Sequence, residues 1–584
     1  MLREFRTLLP YLRRYWPRYL AGLLFLLLAD AGQLYLPQLV RRAVDLVASG
    51  GFSLAGLVPP VLLAIATAGL IALGRFFWRF FINGSSRRIE NELRERLFAH
   101  LQALSTTFYG KSKTGDLMAH MTNDMNAIRM ATGMAFVSFV DGFFLTLAIL
   151  VILLAQNPRL ALLSISPLPV LTVGVILFGK IVGEKFKSVQ EGFSAMSDLA
   201  QESIAGIRVL KIFVQEQAFG RRFADKNRDY SDRNLSLAKT FGFFFPLVGF
   251  LAGLTSLIFL LLGGRSVMEG SLSPGMFTAF FAYLQMLIWP MLGAGFTVNL
   301  LQRAGASLGR INKILAEQPD IASPPPAQAR RGPLRGDIRL HQLSFAYPGT
   351  EKPVLLELEL DIPAGSIVGL LGRTGSGKST LVNLLPRLLD PPPGAVFVDG
   401  HDVREYDLEA LRSAIRVVPQ DTFLFSTSIR ENIAFGAEDA DAGLLEKAAA
   451  ISTIRRDLGN FPQGWETVVG ERGITLSGGQ KQRVALSRAI AAQAAIYILD
   501  DAMSSVDTET EEAILSALLP RLRGSTVILV SHRVSTLRNS DRVVVLEGGR
   551  ITQEGTPAQL AAIPGFYADI LRLQQLEKIL KGHG

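Results

Sequence analysis

The chain has 584 residues, of which 49% are hydrophobic and 19% charged, and its mean hydropathy is +0.29. That is too apolar for an ordinary soluble protein of this length, so membrane-spanning segments are expected. The formal net charge of +9 fits Lys and Arg gathered on one side of a bilayer more simply than a nucleic-acid partner. The absence of cysteine excludes disulfides, thiolate metal sites and cysteine nucleophiles.

The N-terminus carries Arg3, Arg6, Arg13, Arg14 and Arg18, then an apolar run from Leu23 to Leu28 that continues through Leu34, Leu36 and Val40. The basic part is too long for a signal peptide. It reads as a membrane-surface helix followed by a first transmembrane helix. Six apolar stretches are long enough to span a bilayer, near 19–40, 57–82, 134–156, 160–183, 241–264 and 275–298. Arg75 and Arg79 lie towards the end of the second, where their heads can snorkel to the interface.

The connecting segments differ sharply in charge. The loop near 46–56 has no Lys or Arg, and those near 157–159 and 265–274 have only Arg159 and Arg265. The segment 83–133 holds Arg87, Arg88, Arg94, Arg96, Lys111 and Lys113, and 184–240 is similarly basic. The positive-inside rule places both long segments and both ends in the cytoplasm. Ile204, Ile207, Leu210 and Ile212 fall at helical spacing, so the long segments read as extensions of the membrane helices.

A Pro-rich stretch, Ser323 to Gly336, marks a boundary. The expected division is a membrane domain 1–318, a linker 319–336, a soluble domain 337–572 and a tail 573–584. In the soluble part, β-rich runs such as Ile367–Leu371, Ala395–Val398, Thr526–Val530 and Arg542–Leu546 alternate with helices, which predicts an α/β domain.

Residues 372–380 read Gly372-Arg373-Thr374-Gly375-Ser376-Gly377-Lys378-Ser379-Thr380, a complete phosphate-binding loop. The glycines let backbone N–H groups face phosphate oxygens, and a helix is expected from Thr380 onward. Lys378 is placed to reach the β- and γ-phosphates, and Ser379 to ligate Mg²⁺. The run Ile496–Leu499 delivers Asp500 to the same magnesium. Leu476-Ser477-Gly478-Gly479-Gln480 lies between the two.

Those motifs carry a resemblance. Residues 337–572 resemble the ATPase domain of ABC transporters, and the whole chain resembles an ABC exporter half-transporter. That implies a six-helix transmembrane domain extended into the cytoplasm and fused to an α/β P-loop ATPase domain, with ATP and Mg²⁺ as ligands. Tyr347 matches the residue that stacks on adenine. Gln420 matches the Q-loop, which contacts Mg²⁺ and the attacking water. Thr467 to Gly473 matches the exporter-type segment before the signature. Leu476 to Gln480 matches the signature itself, which closes over ATP held by the opposite ATPase domain. Ser504, Ser505, Val506 and Asp507 match the D-loop, and His532 the switch histidine. The stretches Phe108 to Leu117 and Phe213 to Glu216 resemble the coupling regions of the membrane domain.

One position departs from the family pattern. Fully active members carry Glu after the magnesium-binding Asp, where its carboxylate polarises water; here it is Asp501. Asp is shorter by one carbon, about 1.5 Å, and a misplacement of ~1 Å costs around a hundredfold in rate. Asp here resembles the slow-site half of heterodimeric bacterial multidrug-type exporters, whose intact signature completes the partner's site. The expectation is therefore one subunit of an ATP-driven exporter for hydrophobic or amphipathic substrates, multi-pass in the inner membrane. Its ATPase domain and both termini are cytoplasmic, its partner is a second half-transporter, and it has no nucleic-acid partner. The alternatives are a homodimeric lipid flippase and an ATP-gated channel or regulatory subunit. Asp30 and Asp141, ionisable residues inside spans, are candidates for a substrate cavity with Trp289, as are Phe243, Phe244 and Phe245.

Overall fold

The computed structural model describes residues 3–50, 54–350, 352–437, 441–470, 473 and 475–581. By contacts the chain divides into two units, one of residues 1–102 and 113–317, the other of 103–112 and 318–584.

In the first unit, six helical runs are long and apolar enough to cross a membrane. They are α1 (Glu4–Ala48), α2 (Ala55–Ala103), α3 (Thr114–Gln156), α4 (Pro158–Ala205), α5 (Glu216–Met268) and α6 (Pro274–Ala316). Each contains one of the six predicted stretches. The runs are 43 to 53 residues long, about twice what a bilayer requires, so the polar flanks continue as helix. At the start of the first run a single 3₁₀ turn (Glu4–Leu8) leads into unbroken α-helix from Leu9 to Ala48, so the basic start and the apolar stretch share one helix. Pro17 and Pro37 sit inside that helix without ending it. The apolar interior is built by residues such as Ile149, Leu153, Leu168, Phe259, Phe280 and Tyr283, all buried.

Among its described residues the second unit holds ten strands. A four-stranded antiparallel sheet has the order β2-β1-β4-β5, from β1 (Ile338–Phe345), β2 (Leu355–Ile362), β4 (Val396–Val398) and β5 (His401–Asp402). A six-stranded sheet has the order β10-β9-β3-β8-β7-β6. It is formed by β3 (Ile367–Leu371), β6 (Ile415–Val418), β7 (Ile496–Asp500), β8 (Thr526–Val530), β9 (Arg542–Glu547) and β10 (Arg550–Gly555). All its pairings are parallel except β10 with β9. Alternate residues of the parallel strands enter two different cores: Ile498, Ile528 and Val544 one, Leu499, Leu529 and Val545 the other. That is why these strands read as continuous apolar runs.

Register brings the chemistry together. Val530 pairs with Leu370 on one side and Asp500 on the other. The segments leaving β3, β8 and β7 therefore emerge side by side at the carboxyl ends of adjacent strands, where ligands bind in open α/β sheets.

Candidate ATP site

The loop after β3 turns through Gly375 at φ +82° and Gly377 at φ +101°. At Gly377 a Cβ would also lie 2.6 Å from Leu355 Cδ2, so only glycine fits. The following helix α7 spans Lys378–Leu384, opening two residues before the expected Thr380, because Gly377 itself serves as its cap. The Lys378 ammonium is buried and donates to the carbonyls of Gly372 and Arg373, both at 2.9 Å. Burial pushes its pKa below the usual lysine value, against the pull of Asp501 and Asp500. Ser376 Oγ is buried in this loop with no hydrogen-bond partner, as a loop built to meet phosphate oxygens would leave it.

Ser379 lies beside Asp500, which ends β7. Burial holds the Asp500 carboxyl above the usual range, the Ser379 hydroxyl opposes this, and Asp501 adds to it. A hydroxyl beside a buried carboxylate suits a hard divalent cation that keeps phosphate oxygens as its remaining ligands. Gln420, the third expected magnesium residue, is exposed and hydrogen-bonds to neither among the described residues. It lines a cavity of about 150 Å³ with Asp501, Ser504 and His532.

Asp501 is buried, at φ +45°. Its Oδ1 accepts the main-chain N–H of His532 at 3.3 Å, and its Oδ2 lies 3.1 Å from His532 Nε2. Tyr347 bonds through its hydroxyl to Thr380 Oγ1 at 2.9 Å. Its ring is 38% exposed at the rim of the phosphate loop.

Ser477 caps helix α8 (Gly478–Ala491) in a reciprocal box with Gln480. Leu476 is buried, while Ser477 and Gly478 face solvent. A Cβ on Gly479 would stand 3.0 Å from the Ser505 carbonyl oxygen, so the signature packs directly on the D-loop. Asp507 caps helix α9 (Thr508–Leu518), accepting the Thr510 N–H at 2.9 Å. Of the segment 467–473, Glu471 and Arg472 lie outside the described residues.

Three side chains outside the motifs brace the D-loop and the segment after β8. Gln482 donates to Ser504 Oγ and accepts from the Ser505 N–H, both at 2.8 Å. Arg533 donates to the carbonyls of Val506 and Ser504, each at 3.2 Å, and pairs with buried Glu511 at 2.6 Å. Gln574, on the C-terminal helix α10 (Phe566–Lys581), accepts from Val534 N–H at 3.0 Å and donates to the His532 carbonyl at 3.1 Å. A polar side chain falling on an otherwise apolar face was the one signal for Gln482 and Gln574.

Of the first coupling stretch, Phe108 to Leu117, residues 108–112 group with the second unit and 113–117 with the first; just before it the Thr106 hydroxyl donates to the Leu388 carbonyl at 2.5 Å. In the other stretch Phe213 and Val214 are 67% and 79% exposed. Within the membrane unit, Asp30 is fully buried, its Oδ1 accepts from Gln33 Nε2 at 3.5 Å, and Asp141 is half-buried. Trp289 is 79% exposed and is not brought to either by any described contact. Phe244 is buried against Phe178, whereas Phe243 and Phe245 are exposed.

Comparison with known proteins agrees with this architecture. Residues 19–291 match the ABC transporter transmembrane region and 355–504 the ABC transporter family. The chain is 35% identical to the "Probable multidrug resistance ABC transporter ATP-binding/permease protein YheI" of Bacillus subtilis, over 97% of each chain. It is 33% identical to the "ATP-dependent lipid A-core flippase" of Syntrophus aciditrophicus, covering 98% of this chain and 94% of that one. A solved bacterial Atm1-family ABC exporter with ATP bound superposes with TM-score 0.77 at 27% identity, covering 96% and 98% of the two chains. The chain therefore belongs to the ABC exporters, as a half-transporter whose membrane domain is fused to its ATPase domain. It is an ATPase coupled to transmembrane transport.

Proposed function

We propose that this chain is the slow-site subunit of a heterodimeric exporter for amphipathic compounds in a bacterial inner membrane. Its phosphate loop holds ATP with Lys378, and Ser379, Asp500 and Gln420 hold Mg²⁺, which neutralises developing phosphate charge. Tyr347 stacks on adenine. The observation that carries the reading is the state of Asp501. Its short carboxylate already meets the N–H and the ring of His532, so it is poorly placed to orient a water at the γ-phosphate. By contrast, the exposed Ser477 and Gly478, held in a complete capping box, are ready to close over ATP bound to a partner.

The test is one ATPase assay on variants of the purified pair. Ser477→Arg puts a bulky cation where a hydroxyl must approach phosphate, and should nearly abolish turnover. Asp501→Asn should do much less. Equal damage from both would overturn the slow-site assignment.

A second reading is a homodimeric lipid flippase. Phosphate loop, magnesium residues and signature are all intact in this one chain, and a flippase stands among its relatives. The chain purified alone then forms a dimer with full lipid-stimulated ATPase activity. Under the first reading it does not.

A further inference from the structure

The first two helical runs enclose a basic cleft that the ATP site does not explain. A cavity of about 340 Å³ is lined by Arg18, Arg79, Phe80, Asn83, Arg87 and Arg88, among others. Among the described residues, none of its four arginines has an ion-pair or hydrogen-bond partner, although nearby arginines do: Arg94 with Glu90 and Arg14 with Glu92. Arg18 and Arg79 lie instead over the rings of Tyr15 and Trp78, at 5.9 and 5.4 Å. Four like charges around one cleft repel each other, and an anion in the cleft removes that cost.

The position in the fold narrows the anion. Arg18 ends the basic start of α1 and precedes its apolar stretch, while Arg79 lies three residues before the end of the apolar stretch of α2, which Asn83, Arg87 and Arg88 follow. Packing holds these two boundaries together: Phe25 stacks on Phe81 at 5.9 Å, and a Cβ on Gly22 would lie 2.5 Å from Ile82 Cγ1. The polar–apolar boundary of both spans therefore falls at the cleft, which is the depth of lipid head groups. From Arg79 to Asn83 the helix widens to a π turn, a local irregularity that often marks a functional site. Phe80, 65% exposed, stands beside the arginines, offering an apolar face to an acyl chain.

We infer that this cleft binds the phosphodiester head group of an anionic phospholipid from the surrounding leaflet. The arginines take the phosphate through charge-assisted hydrogen bonds. Asn83 offers a neutral partner for head-group hydroxyls.

Native mass spectrometry of the full transporter in detergent, titrated with phosphatidylglycerol, phosphatidylcholine or inorganic phosphate, tests this. Phosphatidylglycerol should be retained and phosphatidylcholine should not. Arg79→Gln and Arg87→Gln should each weaken phosphatidylglycerol binding about fivefold, as loss of one basic residue near an anionic surface does, while Arg79→Lys keeps most of it. A control pair on α5, Arg221→Gln with Arg222→Gln, should leave it unchanged. Equal retention of both lipids, indifference to the Arg79 and Arg87 variants, or equal loss in the control overturns the site. Displacement of the lipid by inorganic phosphate at matching concentration also overturns the lipid assignment, because the cleft then takes a free anion. If a Gln variant does not fold, the phosphatidylglycerol preference and the Lys variant still decide.

Discussion

Asp501 and His532 meet twice: the His532 main-chain N–H donates to Oδ1 at 3.3 Å, and Nε2 lies 3.1 Å from Oδ2. Both carboxylate oxygens are thus engaged by the loop after β8. A glutamate at this position carries its carboxylate about 1.5 Å further out. Asp501→Glu is expected to raise turnover at this site by tenfold or more, given that a misplacement of ~1 Å costs around a hundredfold. The check is phosphate release by purified transporter at saturating ATP. An unchanged rate would show that side-chain length is not the limit.

Lys378 is buried and holds two loop carbonyls at 2.9 Å, a geometry that keeps its charge beneath the loop that receives phosphate. Lys378→Ala should lower azido-ATP photolabelling of this chain about tenfold or more, a charge-assisted hydrogen bond being worth about 1.5–3 kcal/mol. Undiminished labelling would remove Lys378 from the site.

Asp500 gives the site a pH dependence of known sign. Burial raises its folded pKa above the ordinary carboxylate value. Its contribution to stability is therefore full below the unfolded value and lost as pH rises through the raised folded one. A bound divalent cation needs the proton gone. The rise in Tm that MgATP produces should shrink as the medium is acidified through that window, and Asp500→Asn should flatten the dependence. A wild-type gain independent of pH would contradict the assignment of Asp500 to the metal.

The D-loop is held from outside its own motif. Gln482 supplies both a donor to Ser504 and an acceptor for Ser505. Gln482→Ala should reduce turnover several-fold while leaving azido-ATP labelling intact, because the loop moves and the phosphate loop does not. At about 1 kcal/mol per hydrogen bond, the fold survives the change. Parallel loss of labelling would instead indicate a general packing defect.

What was legible in the sequence follows from the range of each interaction. The phosphate loop, the strand ending in Asp500 and the six apolar stretches are local patterns, and each lies where residue spacing puts it. The helix opening at Lys378 was misjudged because Gly377, in a left-handed conformation, acts as cap where a polar side chain would normally do so. The continuity of α1 was not legible because the change from a basic start to an apolar run alters composition without interrupting the helix. The roles of Gln482, Arg533 and Gln574 were not legible because each works through partners at least 22 residues away. A glutamine on an apolar helix face marks a position, not the distant loop it braces. His532 could be placed by resemblance, whereas its double engagement with Asp501 needed the register that sets β7 beside β8.

The topology yields the last prediction. The hydropathic spans alternate with loops that carry at most one Lys or Arg on one side and are rich in them on the other, so Ser49 is expected outside and Ser323 inside. Ser53, in the same outer loop, lies outside the described residues; Ser49 is exposed at the end of α1 and bonds locally to the Leu46 carbonyl at 3.0 Å. Ser323 is also exposed, and accepts the Leu408 N–H at 2.9 Å. Because the chain has no cysteine, Ser49→Cys and Ser323→Cys each introduce a single thiol. In intact cells an impermeant maleimide should label Ser49→Cys and leave Ser323→Cys unmodified until the membrane is opened. The reverse pattern would place the ATPase domain on the side without ATP, and with it would fall the orientation of all six spans.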